Sequence, residues 1–180
     1  MDQAQRLRDI VSDGTADKPD SRIITVSSGK GGVGKTNFTV NLGIALAKLG
    51  KKVTIIDADL GLANVDVMFG IVTKYNLSNV IKGEITVQES IVKGPYDINI
   101  ISGGSGIMDL IDLDINQLDK LIHTLSYFNT ISDYILIDTG AGLSKSVLSF
   151  VDAASDVILV ITPDPTSITD AYALIKNIVK

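Results

Sequence analysis

Residues 29–36 read Gly29-Lys30-Gly31-Gly32-Val33-Gly34-Lys35-Thr36. The stretch follows a β-branched run at Ile23–Val26 and precedes an alanine-rich run that stops at Gly50. A loop of the form G-x-x-x-x-G-K-[ST] between a strand and a helix binds phosphate, because its backbone N–H groups surround the phosphate oxygens. Its lysine neutralises the β and γ phosphates, and its hydroxyl side chain reaches magnesium. We therefore predict a site for a nucleoside triphosphate and Mg2+.

Short β-branched runs alternate with helical stretches along the rest of the chain. The predicted strands are Ile23–Val26, Val53–Ile56, Ile98–Ile101, Tyr134–Ile137 and Val157–Ile161. The predicted helices are Lys35–Leu49, parts of Leu77–Val92, Ile115–Phe128, Leu143–Ala154 and Ser167–Val179, with Pro163 and Pro165 outside the elements. Runs that are apolar throughout indicate strands covered on both faces. The pattern predicts a doubly wound α/β fold, with a mostly parallel sheet and helices on both faces.

The N-terminus differs from the rest of the chain. Residues 1–11 space Ala4, Leu7 and Val11 at helical intervals, which predicts a short amphipathic helix. Residues 12–21 are polar, contain Gly14 and Pro19, and favour a flexible linker. Residues 22–180 would then form one domain.

Composition excludes several classes of function. The 180 residues include no cysteine, which excludes disulfides and thiolate metal sites. The formal net charge of −5 argues against direct nucleic-acid binding, which depends on lysine and arginine. No signal peptide or membrane-spanning stretch is visible in the sequence. We expect a cytoplasmic protein.

Three aspartates follow predicted strands. Asp57 and Asp59 come directly after the second strand, and Asp138 follows Tyr134–Ile137. Carboxylates at the carboxyl ends of parallel strands lie where ligands bind in such sheets. A hydrophobic strand that ends in aspartate beside a P-loop is a Walker B pattern, which suits Asp138 to a magnesium-bound water. For Asp57 and Asp59, a helix cap or an exposed loop position stays open as the alternative.

Lys30, inside the loop, makes the resemblance more specific. The sequence G-K-G-G-V-G-K-T resembles the deviant Walker A motif of the MinD/ParA family of dimerising ATPases. The resemblance implies a homodimer when ATP is bound, with ATP or ADP and Mg2+ as cofactors. It implies that Lys30 reaches the partner's phosphates, that Asp57 lies near magnesium waters, and that Asp59 orients the attacking water. A solvated lysine in a mobile loop is the alternative for Lys30.

These arguments predict three groups of site residues. The nucleotide-binding group is Gly29, Lys30, Gly31, Gly32, Val33, Gly34, Lys35, Thr36 and Asn37. The catalytic group is Lys30, Lys35 and Asp59, and the metal group is Thr36, Asp57 and Asp138.

Within the family, four features resemble the FlhG branch, also called YlxH or FleN. They are Asn37 after the loop, the sequence D-A-D-L-G-L-A-N-V-D at 57–66, D-T-G-A-G at 138–142, and an N-terminal D-Q-A-x-x-L-R motif made by Asp2, Gln3, Ala4, Leu7 and Arg8. The branch controls flagellar number and placement, and its N-terminal motif stimulates the GTPase of FlhF. The resemblance implies FlhF and flagellar C-ring components as partners. A frayed terminal helix is the plainer interpretation of residues 1–11.

Family members normally continue past the helix that ends here at Lys180. They add strands, adenine contacts and a C-terminal amphipathic helix that binds the inner face of the membrane. We expect this sequence to be the truncated part of such a chain, with peripheral membrane association in the full-length, ATP-bound form. A nucleotide-gated interaction protein with negligible turnover, and a cell-division regulator like MinD, are the alternative functions.

Overall fold

The computed structural model describes residues 21–59, 64–103 and 124–178. The helix predicted for residues 1–11, most of the linker predicted for 12–21, and the partner-binding residues Asp2, Gln3, Ala4, Leu7 and Arg8 lie outside the described residues. The strands are β1 (Arg22–Ser28), β2 (Val53–Ala58), β3 (Val92–Lys93), β4 (Asn99–Ile101), β5 (Tyr134–Ala141) and β6 (Asp156–Leu159). The helices are α1 (Lys35–Lys48), α2 (Val65–Phe69), α3 (Leu77–Lys82), α4 (Val87–Ser90), α5 (helical over 124–131), α6 (Lys145–Ala153) and α7 (Pro165–Ile178), with a 3-10 turn at Pro95–Asp97.

The strands form one sheet in the order β3-β4-β2-β5-β1-β6. All neighbouring pairs are parallel except β3 and β4. The register places Asp138 opposite both Val26 of β1 and Asp57 of β2. The loops after β1, β2 and β5 therefore meet at one edge of the sheet, as the sequence predicts for its phosphate loop and its strand-end aspartates.

Each central strand sends alternate side chains to two hydrophobic clusters. Ile24, Ile55 and Leu136 join the cluster that packs under α1. Ile23 and Ile56 join the second cluster, which includes side chains of α3, α5 and α6. Successive residues of a strand point to opposite faces, so an apolar run fills both clusters. Helices cover both faces of the sheet, which confirms the predicted doubly wound α/β fold.

The structure differs from the predicted elements mainly at their ends. Pro165 was predicted outside the elements but is the first residue of α7. Proline suits this position, because its missing N–H has no partner there and its fixed φ is helical. The short helix α2 and the antiparallel strand β3 were not predicted. In the described part of the chain, no helix is long and apolar enough to cross a membrane.

Candidate nucleotide site

The phosphate loop connects β1 to α1 and has the backbone that its glycines allow. Gly32 and Gly34 have φ angles of 75° and 98°, in the left-handed region that suits glycine. Gly34 is the residue before the first turn of α1, and it has no side chain that could cap the helix. The first N–H groups of α1 therefore face the loop, where the helix dipole favours an anion.

Lys35 is buried at the start of α1, where it lies close to the strand that precedes the loop. Its Nζ donates a hydrogen bond to Ser28 Oγ at 3.0 Å, and Ser28 Oγ donates in turn to the carbonyl of Lys30 at 2.6 Å. Burial lowers the pKa of Lys35, while Asp138 and Asp59 oppose that shift. The ammonium group is thus held at the inner side of the loop, next to two carboxylates.

Asp138 is fully buried at the end of β5. One of its oxygens, Oδ1, accepts a hydrogen bond from Thr39 Oγ1 at 3.3 Å, and the Thr36 side chain lies near this carboxylate. Its other oxygen, Oδ2, has no hydrogen-bond partner among the described residues. Burial raises the pKa of Asp138, although Thr36 and Lys35 stabilise its charged form.

An unpaired buried carboxylate oxygen beside a hydroxyl is a donor set that suits magnesium. Mg2+ prefers oxygen ligands and keeps several waters, so one threonine hydroxyl and one carboxylate are sufficient protein contributions beside a phosphate. Thr36 and Asp138 fit this description. Within residues 21–59, 64–103 and 124–178, no group of three or more acidic, histidine or cysteine side chains is placed so that it could hold a metal ion without other ligands.

Asp57 makes contacts that its predicted metal role does not require. Its Oδ1 accepts the N–H of Asp59 at 3.0 Å, and its Oδ2 accepts the N–H groups of Asn64 and Val65 at 2.9 and 3.1 Å. Both oxygens thus hold the two ends of the loop between β2 and α2. Burial outweighs these bonds and raises the pKa of Asp57 to about 7.

Asp59 begins the loop after β2 and lies beside the end of β5. A Cβ added at Gly140 would stand 3.6 Å from Asp59 Oδ1, so glycine leaves room for this carboxylate. Asp59 is also near enough to affect the pKa values of Lys35 and Asp138. The structure therefore brings Lys35, Thr36, Asp57, Asp59 and Asp138 together.

Lys30 and Asn37 point away from that cluster. Lys30 Nζ lies 3.3 Å from Asp164 Oδ1 and donates to Thr166 Oγ1 at 2.9 Å, at the start of α7. Its side chain is 46% exposed, so it is free to move into solvent. Asn37 is exposed, and its Oδ1 accepts from Asn41 Nδ2 at 3.0 Å, one turn along α1. The roles of all these residues stay predictions.

Sequence reasoning missed several contributors to the site. Ser28 and Thr39 are buried hydroxyls that contact Lys35 and Asp138. Thr39 could have been found, since it lies four residues after Lys35 and thus on the same face of α1. Gly103 also contributes, although the sequence favours an ordinary flexible connection there. A Cβ there would stand 2.4 Å from the Asp57 carbonyl oxygen, so the backbone after β4 packs directly on the end of β2.

A family model described as "AAA domain" matches residues 21–180 of the chain. The chain belongs to the MinD/ParA type of P-loop ATPase. The chain is 48% identical over 155 residues to the antiactivator FleN of Pseudomonas aeruginosa, covering 86% of this chain and 55% of FleN. It is 43% identical over 161 residues to the flagellum site-determining protein YlxH of Helicobacter pylori, covering 88% of this chain and 54% of YlxH.

Among solved structures, this MinD/ParA-type chain superimposes on the septum site-determining protein MinD of Pyrococcus horikoshii, described as complexed with Mg-ADP. The TM-score is 0.72 at 30% identity, and the match covers 87% of this chain and 64% of MinD. The resemblance to the FlhG branch that the motifs indicate is confirmed, since FleN and YlxH belong to it. The chain spans about half the length of these two curated relatives.

Proposed function

We propose that this chain is the nucleotide-binding part of an ATPase switch that sets flagellar number and placement. One observation carries the proposal: a buried lysine, a threonine hydroxyl and a buried carboxylate with one unpaired oxygen meet at a glycine-rich loop. These groups are Lys35, Thr36 and Asp138. The kinship with FleN and YlxH supports the flagellar role.

In the proposed chemistry, different residues of the site bind the phosphates, hold the metal ion and orient the attacking water. The N–H groups of residues 29–37 and the ammonium of Lys35 bind the phosphates of ATP or ADP. Thr36 and Asp138 would hold magnesium, with Asp57 nearby, and the ion would neutralise charge on the phosphates. Asp59 lies beside the end of β5, where its carboxylate would orient the attacking water.

Lys30 has a separate role in the proposal. Its exposed Nζ leaves Asp164 and Thr166 and approaches the phosphates bound by a second copy of the chain, so that ATP promotes a homodimer. A cation at that place stabilises charge on the transferring phosphoryl group, as an arginine finger does. Hydrolysis removes the γ phosphate and dissolves the dimer.

The experiment that tests this proposal combines ATP turnover with size-exclusion chromatography in ADP and in a non-hydrolysable ATP analogue. We expect a dimer only with the analogue. Lys30→Ala should abolish the dimer, whereas Lys82→Ala, which removes an exposed lysine from α3, should leave it unchanged. A nucleotide-independent monomer, or a Lys30→Ala variant that still dimerises, would refute the switch.

The partner part of the proposal concerns residues 1–8. We propose that Asp2, Gln3, Ala4, Leu7 and Arg8 contact the GTPase FlhF and stimulate it, with the flagellar C-ring as a further partner and with peripheral membrane association in the ATP-bound form. The GTPase rate of FlhF is to be measured with the chain and with a variant that lacks residues 1–20. Loss of stimulation in the shortened variant is the expected result.

A second candidate is a nucleotide-gated interaction protein with negligible turnover. The exposed, locally bonded state of Lys30 favours it, because the catalytic cluster lacks this cation unless a second copy provides it. In that case ATP binding without turnover would still gate FlhF stimulation. A cell-division role is the third candidate, since the Pyrococcus horikoshii relative is named a septum site-determining protein; it predicts no effect of residues 1–20 on FlhF.

A further inference from the structure

A cavity of about 780 Å³ opens at the edge of the sheet opposite the phosphate loop. It lies where β2 begins at Val53 and β4 begins at Asn99, and Ile131 near the end of α5 also lines it. None of the residues of the nucleotide site contributes to its lining. The cavity is therefore a separate surface of the molecule.

Three lysines line this cavity, Lys51, Lys52 and Lys93, and we call it the lysine cavity. Among the described residues that line it, the one acidic residue is Asp97, whose backbone carbonyl accepts a bond from Lys93 Nζ at 3.3 Å. The two ion pairs formed among the described residues involve none of these lysines. In a chain with a formal net charge of −5, such a local cluster of cations favours an acidic occupant.

The chain provides an acidic segment that ends close to the lysine cavity. Residues 9–20 contain four aspartates and one lysine, which gives them a formal charge of −3. They lead to Ser21, whose Oγ donates to the carbonyl of Ser132 at 2.6 Å. Ser132 directly follows Ile131, which lines the cavity. The segment therefore joins the described fold at the same edge of the sheet as the lysines.

The reach of the segment is sufficient. β1 and β2 are separated by β5 alone, so their starts are roughly 10 Å apart at the usual strand spacing. Seven residues of extended chain span roughly 23 Å. Asp13 and Asp17 can thus reach the lysines while Ser21 stays where it is.

We propose that residues 9–20 of this chain bind in the lysine cavity, with Asp13, Asp17 and Asp20 facing Lys51, Lys52 and Lys93. This contact places the N-terminal segment at the end of the sheet far from the nucleotide site. It needs neither nucleotide nor partner. One consequence of this contact does rest on the proposed function: a partner that competes for residues 1–8 would release them.

The absence of native cysteine allows a direct distance measurement on the full chain. Spin labels are attached to Ala16→Cys and to Gln88→Cys, which stands at the cavity, and the distance between them is measured by pulsed electron resonance. We expect a single short distance at low ionic strength. High salt should broaden it, because exposed ion pairs are screened beyond roughly 10 Å at 0.1 M.

Charge reversal tests the assigned contacts. Lys51→Glu, Lys52→Glu and Lys93→Glu together should lower the ratio of docked to undocked segment roughly tenfold, the size expected of three weak exposed ion pairs. Adding Asp13→Lys, Asp17→Lys and Asp20→Lys to that variant should restore the short distance. The matched control reverses the exposed Lys74, Lys82 and Lys176 and should change nothing, while thermal unfolding checks that every variant folds.

Three results would overturn the proposal. A broad distance distribution in the unmutated chain means that the segment does not dock. A short distance that survives the cavity reversal means that other residues hold it. A short distance that disappears when labelled chain is diluted with unlabelled chain means that a second copy supplies the occupant. ATPase turnover and dimerisation do not enter any of these measurements.

Discussion

Replacing Asp138 with asparagine is expected to stabilise the chain while weakening its magnesium-dependent nucleotide binding. The carboxylate is fully buried, and its Oδ2 lacks a hydrogen-bond partner in the described part of the chain. Burial also raises its pKa, so the folded state disfavours its charge. Asparagine keeps an oxygen that can accept from Thr36 and Thr39 but carries no charge.

The size of the effect follows from two opposing contributions. An unsatisfied buried polar group costs roughly 1–3 kcal/mol, and more when it is charged; asparagine removes the charge, although its Nδ2 would still lack a partner at the place of Oδ2. The substitution also loses the attraction between Asp138 and Lys35, which stabilises the charged form. We expect a net gain of about 1–2 kcal/mol in the free energy of unfolding. For a domain of this size, that gain raises Tm by roughly 3–6 °C.

Circular dichroism without nucleotide measures the stability, and a fluorescent ATP analogue titrated with and without magnesium measures binding, since the chain has no tryptophan. Loss of the oxygen next to the metal should weaken magnesium-dependent binding roughly 10- to 100-fold. The matched control is Asp133→Asn, whose carboxylate accepts the Lys52 N–H at 2.8 Å at the opposite edge of the sheet. It should lose stability slightly and bind nucleotide normally. A lower Tm for Asp138→Asn, or unchanged magnesium dependence, would refute the reasoning.

Three further expectations concern the stability of the folded chain. The folded chain holds a proton on Asp57, whose pKa is raised to about 7, that the unfolded chain releases near its ordinary value of 3.8. The free energy of unfolding should therefore fall as pH rises between these values, by at most about 1.4 kcal/mol per unit, and urea unfolding of Asp57→Asn should lack that slope. Gly29→Ala places a Cβ 2.4 Å from the backbone of α7 and should cost roughly 1–3 kcal/mol in the same assay, whereas Gly31→Ala meets no atom within 4 Å and should cost less. Arg22→Ala breaks an exposed ion pair with Asp156 and should lower stability by less than about 1 kcal/mol.

The sequence predicted the parts of the site that backbone periodicity determines. Parallel strands end at one edge of a sheet, so a loop after Ser28 and aspartates at 57 and 138 had to approach one another. The structure places Asp57 and Asp138 directly opposite in register. The side-chain partners of the site could not be predicted in this way. In the sequence, Ser28 looks like an ordinary last residue of a strand, and only the folded loop brings the Lys35 ammonium into contact with it.

The start of α7 was predicted two residues too late, at Ser167, although the sequence carries a start signal for it. The sequence Asp164-Pro165-Thr166-Ser167 has an N-cap residue followed by proline at the first helical position, which is a helix start signal. In the structure Asp164 Oδ1 accepts the N–H of Ser167 at 2.9 Å. That the same carboxylate would also lie beside Lys30 depends on how α7 packs against the loop, which the sequence does not encode locally.

The two lysines of the phosphate loop differ in how firmly contacts within this chain hold them. Lys35 is buried and bonded to Ser28, so its position is fixed by its own chain. Lys30 is nearly half exposed, and its contacts with Asp164 and Thr166 are of the solvent-exposed kind that contributes at most about 1 kcal/mol. Such contacts can be exchanged for a phosphate whose charge-assisted bonds are stronger. Lys35 should therefore determine whether one chain binds nucleotide, and Lys30 whether two chains bind it together.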